Sequence, residues 1–522
     1  MKNEKILKIM PLVLFFILVS IPMLVLPRDM WDGTLIEYAS ITKNFLGLQS
    51  YFSESGWFLQ YPLSVAVIRI SDFFGISYIN SNAFFVLFFM CIFLRETFLF
   101  SNNQIKLSKA GVYLATFLVS TFSVWGVLLS SIMTLHLACM ALGLFALRAI
   151  HTGTRATIFL GFLGLCVSLS LQSQLVYLPV LSYIYDLCKR DKFQKIWLVR
   201  PTTKTALVFL ISFTLYAAFK IFYPPHGLYE NYNDITFNGL TIGKMGLAFA
   251  TYLLPIISVV FCVNFLTEIT TSTKQPDLVR EQLSINPRWL VWLSVLFFAG
   301  AFPYMVVGKA SVLWEVTDWG SRQAFLISFP TSLITVVYLQ ILYEKAPTHL
   351  LRRAIFIGAI AIFLLNITLL SFAVVNKLNR QIFVSQLEEQ LKLKASMFRP
   401  GLLEILGDGI PGPQLRVYES NLLMYSASKK ANWWTRVSDK RDEHFSIPCF
   451  IKQNPSYQIM YIYNYDSSHI ENYTMVKIQV AGFKGHINLI RNVFGWNSPG
   501  RVELVSINHK TDVPLKKPEG CN

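Results

Sequence analysis

Charge is scarce in this 522-residue chain: Asp, Glu, Lys and Arg make up 15% of it, against 53% hydrophobic residues and a mean hydropathy of +0.47. That is more apolar surface than one soluble core can bury. No Walker-type phosphate loop, no glycine fingerprint after a strand and no Cys/His group with zinc spacing occurs, which argues against direct use of a soluble nucleotide sugar. Cysteines are few, and Cys91, Cys139, Cys166, Cys188 and Cys262 fall in or beside apolar runs, where they act as small apolar residues. Cys449 and Cys521 lie in polar sequence, and their pairing is left open. No small-x-small cleavage site follows the basic N-terminus and its apolar run, so residues 9–27 read as a retained first span.

What is abundant is apolar runs of about 20 residues, the length of a helix that crosses a bilayer. Further spans are expected near 81–100, 109–129, 131–150, 156–172, 175–188, 203–222, 241–265, 288–307, 323–343 and 354–375. The expected fold class is an α-helical polytopic membrane protein with about eleven transmembrane helices over residues 1–375. From Asn376 the chain turns polar and rich in Tyr, Asn and Lys, with strand-like stretches at 457-YQIMYIYNY and 474-TMVKIQVAGF. Residues 376–522 therefore read as a soluble C-terminal α+β domain.

Lys and Arg cluster in alternate loops, as at 189-KRDKFQK, and the loops between are nearly bare of them. By the positive-inside rule the N-terminus is cytoplasmic, and an odd number of spans places the C-terminal domain outside. The net charge of +16 is then a product of topology, and no nucleic-acid partner is expected. The apolar stretch 57-WFLQYPLSVAVIRISDFFGI is not read as a span, because crossing there would export Arg95, Lys106 and Lys109. Residues 28–80 form instead a structured first outer loop, with helices lying at the interface.

That loop begins 27-PRDMWDGTLIEYA, with Asp29 and Asp32 three apart directly after the first span. A carboxylate there can take the proton of an attacking hydroxyl and offset positive charge at an anomeric carbon. Asp is also an ordinary N-cap, and the helix expected from Gly33 gives both acids that simpler role. His136 lies near the outer end of a span, where an ionisable group is costly and often functional; a hydrogen-bonded structural His is the commoner case.

The segment resembles the GT-C superfamily of membrane glycosyltransferases, which includes protein O-mannosyltransferases and aminoarabinose transferases. In that architecture an acidic motif follows the first transmembrane helix, then a Tyr-Ala-bearing amphipathic helix, a Pro-Leu segment ending in Phe-Gly, and the second span. The counterparts here are Asp32, Glu37-Tyr38-Ala39, Tyr61-Pro62-Leu63, Phe74-Gly75 and the span beginning near Asn82. The likeness covers about the first 100 residues and, by topology, the membrane region to residue 375. It departs where the family has Asp followed by Glu: this chain has Asp32-Gly33, with Asp29 upstream.

The resemblance implies inverting transfer from a polyprenyl-phosphate sugar, such as an undecaprenyl-phosphate sugar, to a glycan or lipopolysaccharide acceptor. Asp32 is the first candidate base and Asp29 the second, with Glu37 beside the substrate. The outer loop 308-GKASVLWEVTDWGSR offers Lys309 and Arg322 to the phosphate, Trp319 to a sugar ring, and Glu315 and Asp318 to the acceptor or a divalent cation; Arg322 is also spaced to pair with Asp318. A divalent cation is the one cofactor left open, membrane lipids surround the chain, and the expected location is the bacterial inner membrane with the C-terminal domain periplasmic. The architecture is also similar to that of serotype-converting glucosyltransferases acting on O-antigen. An O-antigen polymerase or ligase would need an outer loop with several Arg, and a transporter or flippase would need charges at midplane; neither pattern stands out. A reporter fused after Asn522 is expected to be active outside the cytoplasm and one fused in 189-KRDKFQK only inside it; the reverse result would remove the acid loop from the outer face.

Overall fold

The computed structural model describes residues 2–26, 28–57, 60–189, 201–225, 243, 285–307, 322, 324–346, 348–399, 401–411, 415, 417–429, 433–438, 469–483 and 500–514. Most of these are helical. Six helical stretches are long and apolar enough to cross a membrane: Ile6–Val25, Tyr78–Ile105, Ser131–Thr152, Thr203–Phe222, Arg288–Val306 and His349–Leu393. A seventh arises if Lys109–Ser120 and Ser123–Leu129, bent by 42° at their junction, form one broken span.

The expected count of eleven is therefore corrected among the described residues. Arg155–Leu169 has 15 residues, about 22 Å of helix, too short for a hydrocarbon layer of about 30 Å. Gln174–Lys189 has 16 residues and includes Asp186, which accepts from the Thr202 backbone N–H at 2.8 Å. Ser328–Lys345 ends on Glu344 and Lys345, and its Ser and Thr residues dilute its hydropathy. Ser332 and Thr335 bond back to the helix carbonyls of Ser328 (2.9 Å) and Thr331 (2.8 Å), and most of the helix is buried within the bundle. The expected span 241–265 lies outside the described residues apart from Gly243.

Aromatic rings fill the bundle core edge to face: Phe93 against Trp125 (5.6 Å), Trp125 against Phe325 (4.9 Å), and Phe100 against Phe329 (5.5 Å). Between Thr121 and Met133 the chain leaves the α-helix for two 3-10 turns, and all of it is buried. Irregular backbone among apolar helices is tolerated where protein surrounds it. Gly126 makes the packing possible, since a Cβ there would stand 2.8 Å from Ala373 Cβ. The turns place Ser130 and Ser131 opposite residues 29–30.

The first loop folds into three helices, Gly33–Thr42, Phe45–Glu54 and Gln60–Phe74. Lys43 breaks the first with a left-handed φ of 59°, and Asn44 starts the second by accepting from the Gly47 N–H at 3.1 Å. Gln60–Phe74 is 15 residues long, short of a span, and ends on the exposed Phe73 and Phe74.

The helix His349–Leu393 runs 45 residues, roughly 68 Å, without a break at the change of composition near Asn376. Its first half leaves Phe356, Ile357 and Leu364 exposed, while Phe383, Leu387 and Leu391 in its second half are buried beneath a sheet. That sheet has four strands, β1 (Gly401–Asp408), β2 (Trp433–Ser438), β3 (His469–Ala481) and β4 (Arg501–Pro514), in the order β2-β1-β3-β4. β1 is parallel to β2 and β3, and β3 is antiparallel to β4. β3 covers most of the expected strand at 474; the one at 457 lies outside the described residues, as do Cys449 and Cys521. Leu403, Ile405, Val476 and Ile478 meet the helix from the sheet side. Phe383→Ala should destabilise this unit by about 3–5 kcal/mol, read as earlier protease cleavage after residue 376 with the apolar bundle intact; unchanged cleavage would show that the sheet does not depend on the helix.

Candidate functional site

The first apolar helix ends at Val25, and the next helix begins at Gly33. Between them Trp31 adopts φ 49°, a left-handed conformation unusual for a bulky residue. Asp32 stands at the N-cap position, yet its side chain makes no capping bond; the turn closes through backbone bonds from Gly33 to Met30 (3.0 Å) and Thr34 to Trp31 (3.1 Å). Asp29 Oδ1 accepts from the N–H of Met30 (2.7 Å) and of Ser131 (3.0 Å). Neither carboxylate caps the helix. A Cβ at position 33 would lie 2.4 Å from Asp29 Oδ1, so a larger residue there would push the Asp29 carboxylate off its bonds.

The segment is held from three sides. Glu37 receives Arg28 Nη1 on one oxygen (3.0 Å) and the Asp29 backbone N–H on the other (2.7 Å). Arg28 reaches from the loop to the long helix, donating to Glu388 through Nε (3.1 Å) and Nη2 (2.9 Å), and also contacts Ser426. Glu419 of the helix Val417–Ser428 accepts the Trp31 N–H at 2.8 Å and both terminal nitrogens of Arg380 at 2.9 Å. Gln381 donates to the Asp29 carbonyl at 3.1 Å, and Ser130 Oγ to the Met30 carbonyl at 2.6 Å. Lys377 and Arg380 stand over the Trp31 ring at 5.5 and 5.8 Å.

Burial and these bonds set the charges. Burial works against the Arg28 charge, but the Glu388 and Glu37 carboxylates outweigh it and hold the guanidinium more firmly protonated than usual. Burial raises Glu37, with Arg28 acting against the rise. Burial, reinforced by the negative charge of Glu37, pushes Asp29 up to about 7 in spite of the groups donated by Ser131 and Met30.

Beside Ser131 lies a cavity of about 20 Å³, lined by Gln60, Ser64, Tyr78, Asn82, Ser131 and Thr134 among others. It is large enough for one water molecule. Four buried polar atoms of this neighbourhood have no hydrogen-bond partner: Asp29 Oδ2, Ser131 Oγ, and the amide oxygen and nitrogen of Gln60. His136, one residue beyond the cavity lining, is buried edge-on to Trp57 (5.8 Å) and Phe325 (6.1 Å), with Nδ1 unpartnered. Arg322 is half-buried, close enough to His136 and Tyr304 to act on them electrostatically.

The structure thus brings Asp29, Asp32 and Glu37 into one buried segment and His136 together with Arg322. Glu37 is engaged on both oxygens by the chain itself. Lys309, Glu315, Asp318 and Trp319 lie outside the described residues. Among the described residues no group of three or more His, Cys, Asp or Glu could hold a metal ion. Sequence reasoning missed Arg28, Ser131, Gln60, Glu388, Arg380 and Glu419. Arg28 alone left a signal, as a basic residue in an outer loop otherwise poor in them. No protein-family model and no curated protein matches the chain.

Because the folded state raises Asp29 from 3.8 to about 7, its protonated form favours folding. The stability it contributes is fully present below about pH 4 and is lost as the pH rises through 7. Asp29→Asn keeps an Oδ1 acceptor and cannot ionise, so it should melt close to the parent at pH 4 and gain on it steadily as the pH rises, being more stable at pH 8 by up to about 4 kcal/mol. Thermal melts in detergent across this range check it; parallel curves would mean that Asp29 does not titrate there.

Proposed function

We propose that this chain is an inverting glycosyltransferase that moves a sugar from a polyprenyl-phosphate carrier to a surface glycan or lipid-linked acceptor, at the periplasmic face of a bacterial inner membrane. The observation that carries the reading is the pair of carboxylates, Asp29 and Asp32, that follows the first apolar helix within one braced segment, neither of them capping the helix that begins at Gly33. Several long apolar helices suit a donor whose tail lies in lipid. A carboxylate just beyond such a helix meets the donor at headgroup height.

Asp32 serves as the base. It takes the proton of an acceptor hydroxyl as that oxygen attacks the anomeric carbon, while the bond from that carbon to the phosphate oxygen breaks and polyprenyl phosphate leaves on the opposite face. Asp29 is less suited to meet the acceptor: it is 4% exposed against 9% for Asp32, and the cavity beside it has room for a water and none for a sugar. Its part is to join residues 29–30 to Ser131 and to hold a proton near neutral pH. Arg322 and Lys309 bind the phosphate, Trp319 stacks on the sugar, and Glu315 and Asp318 orient the acceptor. His136, unpartnered at Nδ1 beside Arg322, completes the donor side.

Surface glycans of a deletion strain, compared with the parent by mass spectrometry, should lack one sugar residue. Asp32→Asn, at normal abundance, should restore about 100- to 10,000-fold less of it than the parent gene. Arg322→Ala should instead transfer slowly in a way that more donor relieves. Loss in Asp29→Asn with normal transfer in Asp32→Asn would move the base upstream, and normal transfer in both would end the glycosyltransferase reading of this loop.

A further inference from the structure

Trp31 is the residue between the two acids, and its backbone is the least relaxed part of the segment. A φ of 49° on a bulky residue has an intrinsic cost and persists only where the surroundings impose it. They do so from far along the chain. The Trp31 N–H donates to Glu419 at 2.8 Å, across 388 residues of sequence, and its ring is covered by Lys377 and Arg380. Glu419 is itself fixed by two bonds from Arg380, both at 2.9 Å, and the two side chains are 5% and 2% exposed.

We propose that Glu419 and Arg380 are positioning residues for the acid loop: through Trp31 they set the direction of the Asp32 carboxylate, and so make transfer dependent on the C-terminal unit. The inference rests on the glycosyltransferase reading above. The geometry gives one link for each step. Arg380 orients the Glu419 carboxylate, Glu419 holds the Trp31 amide, and the left-handed turn at Trp31 decides where residue 32 begins its helix. That turn fixes the backbone from which the Asp32 side chain departs at the N-cap position. The other braces act elsewhere in the segment: Arg28 with Glu388 before it, Gln381 and Ser131 at Asp29, and Ser130 at Met30.

Glu419→Ala removes the acceptor, whereas Glu419→Gln keeps an oxygen for the Trp31 N–H. Two measurements on the full-length protein separate the possibilities: hydrogen–deuterium exchange of the peptide covering residues 28–37 in detergent, and the glycan mass shift in complemented cells. In Glu419→Ala, at normal abundance, exchange in 28–37 should rise with the apolar helices still protected, and transfer should fall on the order of 100-fold, the scale of a misplaced reacting group. Glu419→Gln should restore both to near the parent. Exchange unchanged in Glu419→Ala overturns the positioning role, whatever happens to transfer. Raised exchange with normal transfer overturns it too, and Asp32→Asn then tells which idea failed: if that variant is inactive the loop is catalytic and does not need Glu419, and if it is active the loop is not catalytic. Should Glu419→Ala not accumulate, Arg380→Lys, which keeps one donor to Glu419 and gives up the second, supplies the same comparison, with a smaller rise in exchange and a smaller loss of transfer.

Discussion

Two groups of charged side chains with little access to water, Arg28 with Glu37 and Glu388, and Arg380 with Glu419, tie the two ends of this chain together. Arg28 follows the first apolar helix and Glu388 lies 360 residues later, yet two bonds of 2.9 and 3.1 Å join them. Exchanging buried ion pairs for apolar side chains is often neutral for stability, whereas removing one partner alone costs about 3–5 kcal/mol. What the pairs contribute here is geometry. A guanidinium that must meet Glu37 and Glu388 together has one placement, and a Glu419 that must serve both Arg380 and the Trp31 amide has one as well. The segment between the acids is set by these requirements before any packing term is considered.

The same logic explains the irregular stretch 121–133. Continuing the helix beyond Thr121 would carry Ser130 and Ser131 past the acid loop. Two 3-10 turns stop it, and Gly126 lets the long helix come close enough to shield the exposed peptide groups. Ser130 and Ser131 then give Met30 and Asp29 the bonds that a free loop would take from water. A break inside a mostly apolar bundle thus has a local purpose, as broken helices commonly do at binding sites in membranes.

Much of this was legible in the sequence, and the limits are physical. Apolar runs at Ile6–Val25, Tyr78–Ile105 and Ser131–Thr152 announce themselves, because nothing else requires so many consecutive apolar residues. The count went too high because a window average cannot tell a short helix, Arg155–Leu169, from a crossing one, nor a helix buried within the bundle, Ser328–Lys345, from one facing lipid. The acid pair was visible from its place after the first run. Its braces were not, since Arg380, Glu388 and Glu419 lie far along the chain in polar sequence, and only the fold shows them turned inward. The role of Gly33 was equally hidden, because it depends on where Asp29 Oδ1 points.

Two carboxylates three residues apart would ordinarily behave alike, and their environments divide them. Asp29 is enclosed, with one oxygen taken by two backbone N–H groups and the other unpartnered beside a water-sized cavity, and with Glu37 as a negative neighbour. Loss of its proton therefore adds a second charge next to Glu37. Arg28 is committed to Glu37 and Glu388. Asp32 is on the other side of Trp31, at the helix start and the more exposed of the two. In enzymes that use two acids, such a separation of environments is what assigns them different tasks, and under the proposed reading it leaves Asp32 to meet the acceptor while Asp29 governs the loop that presents it.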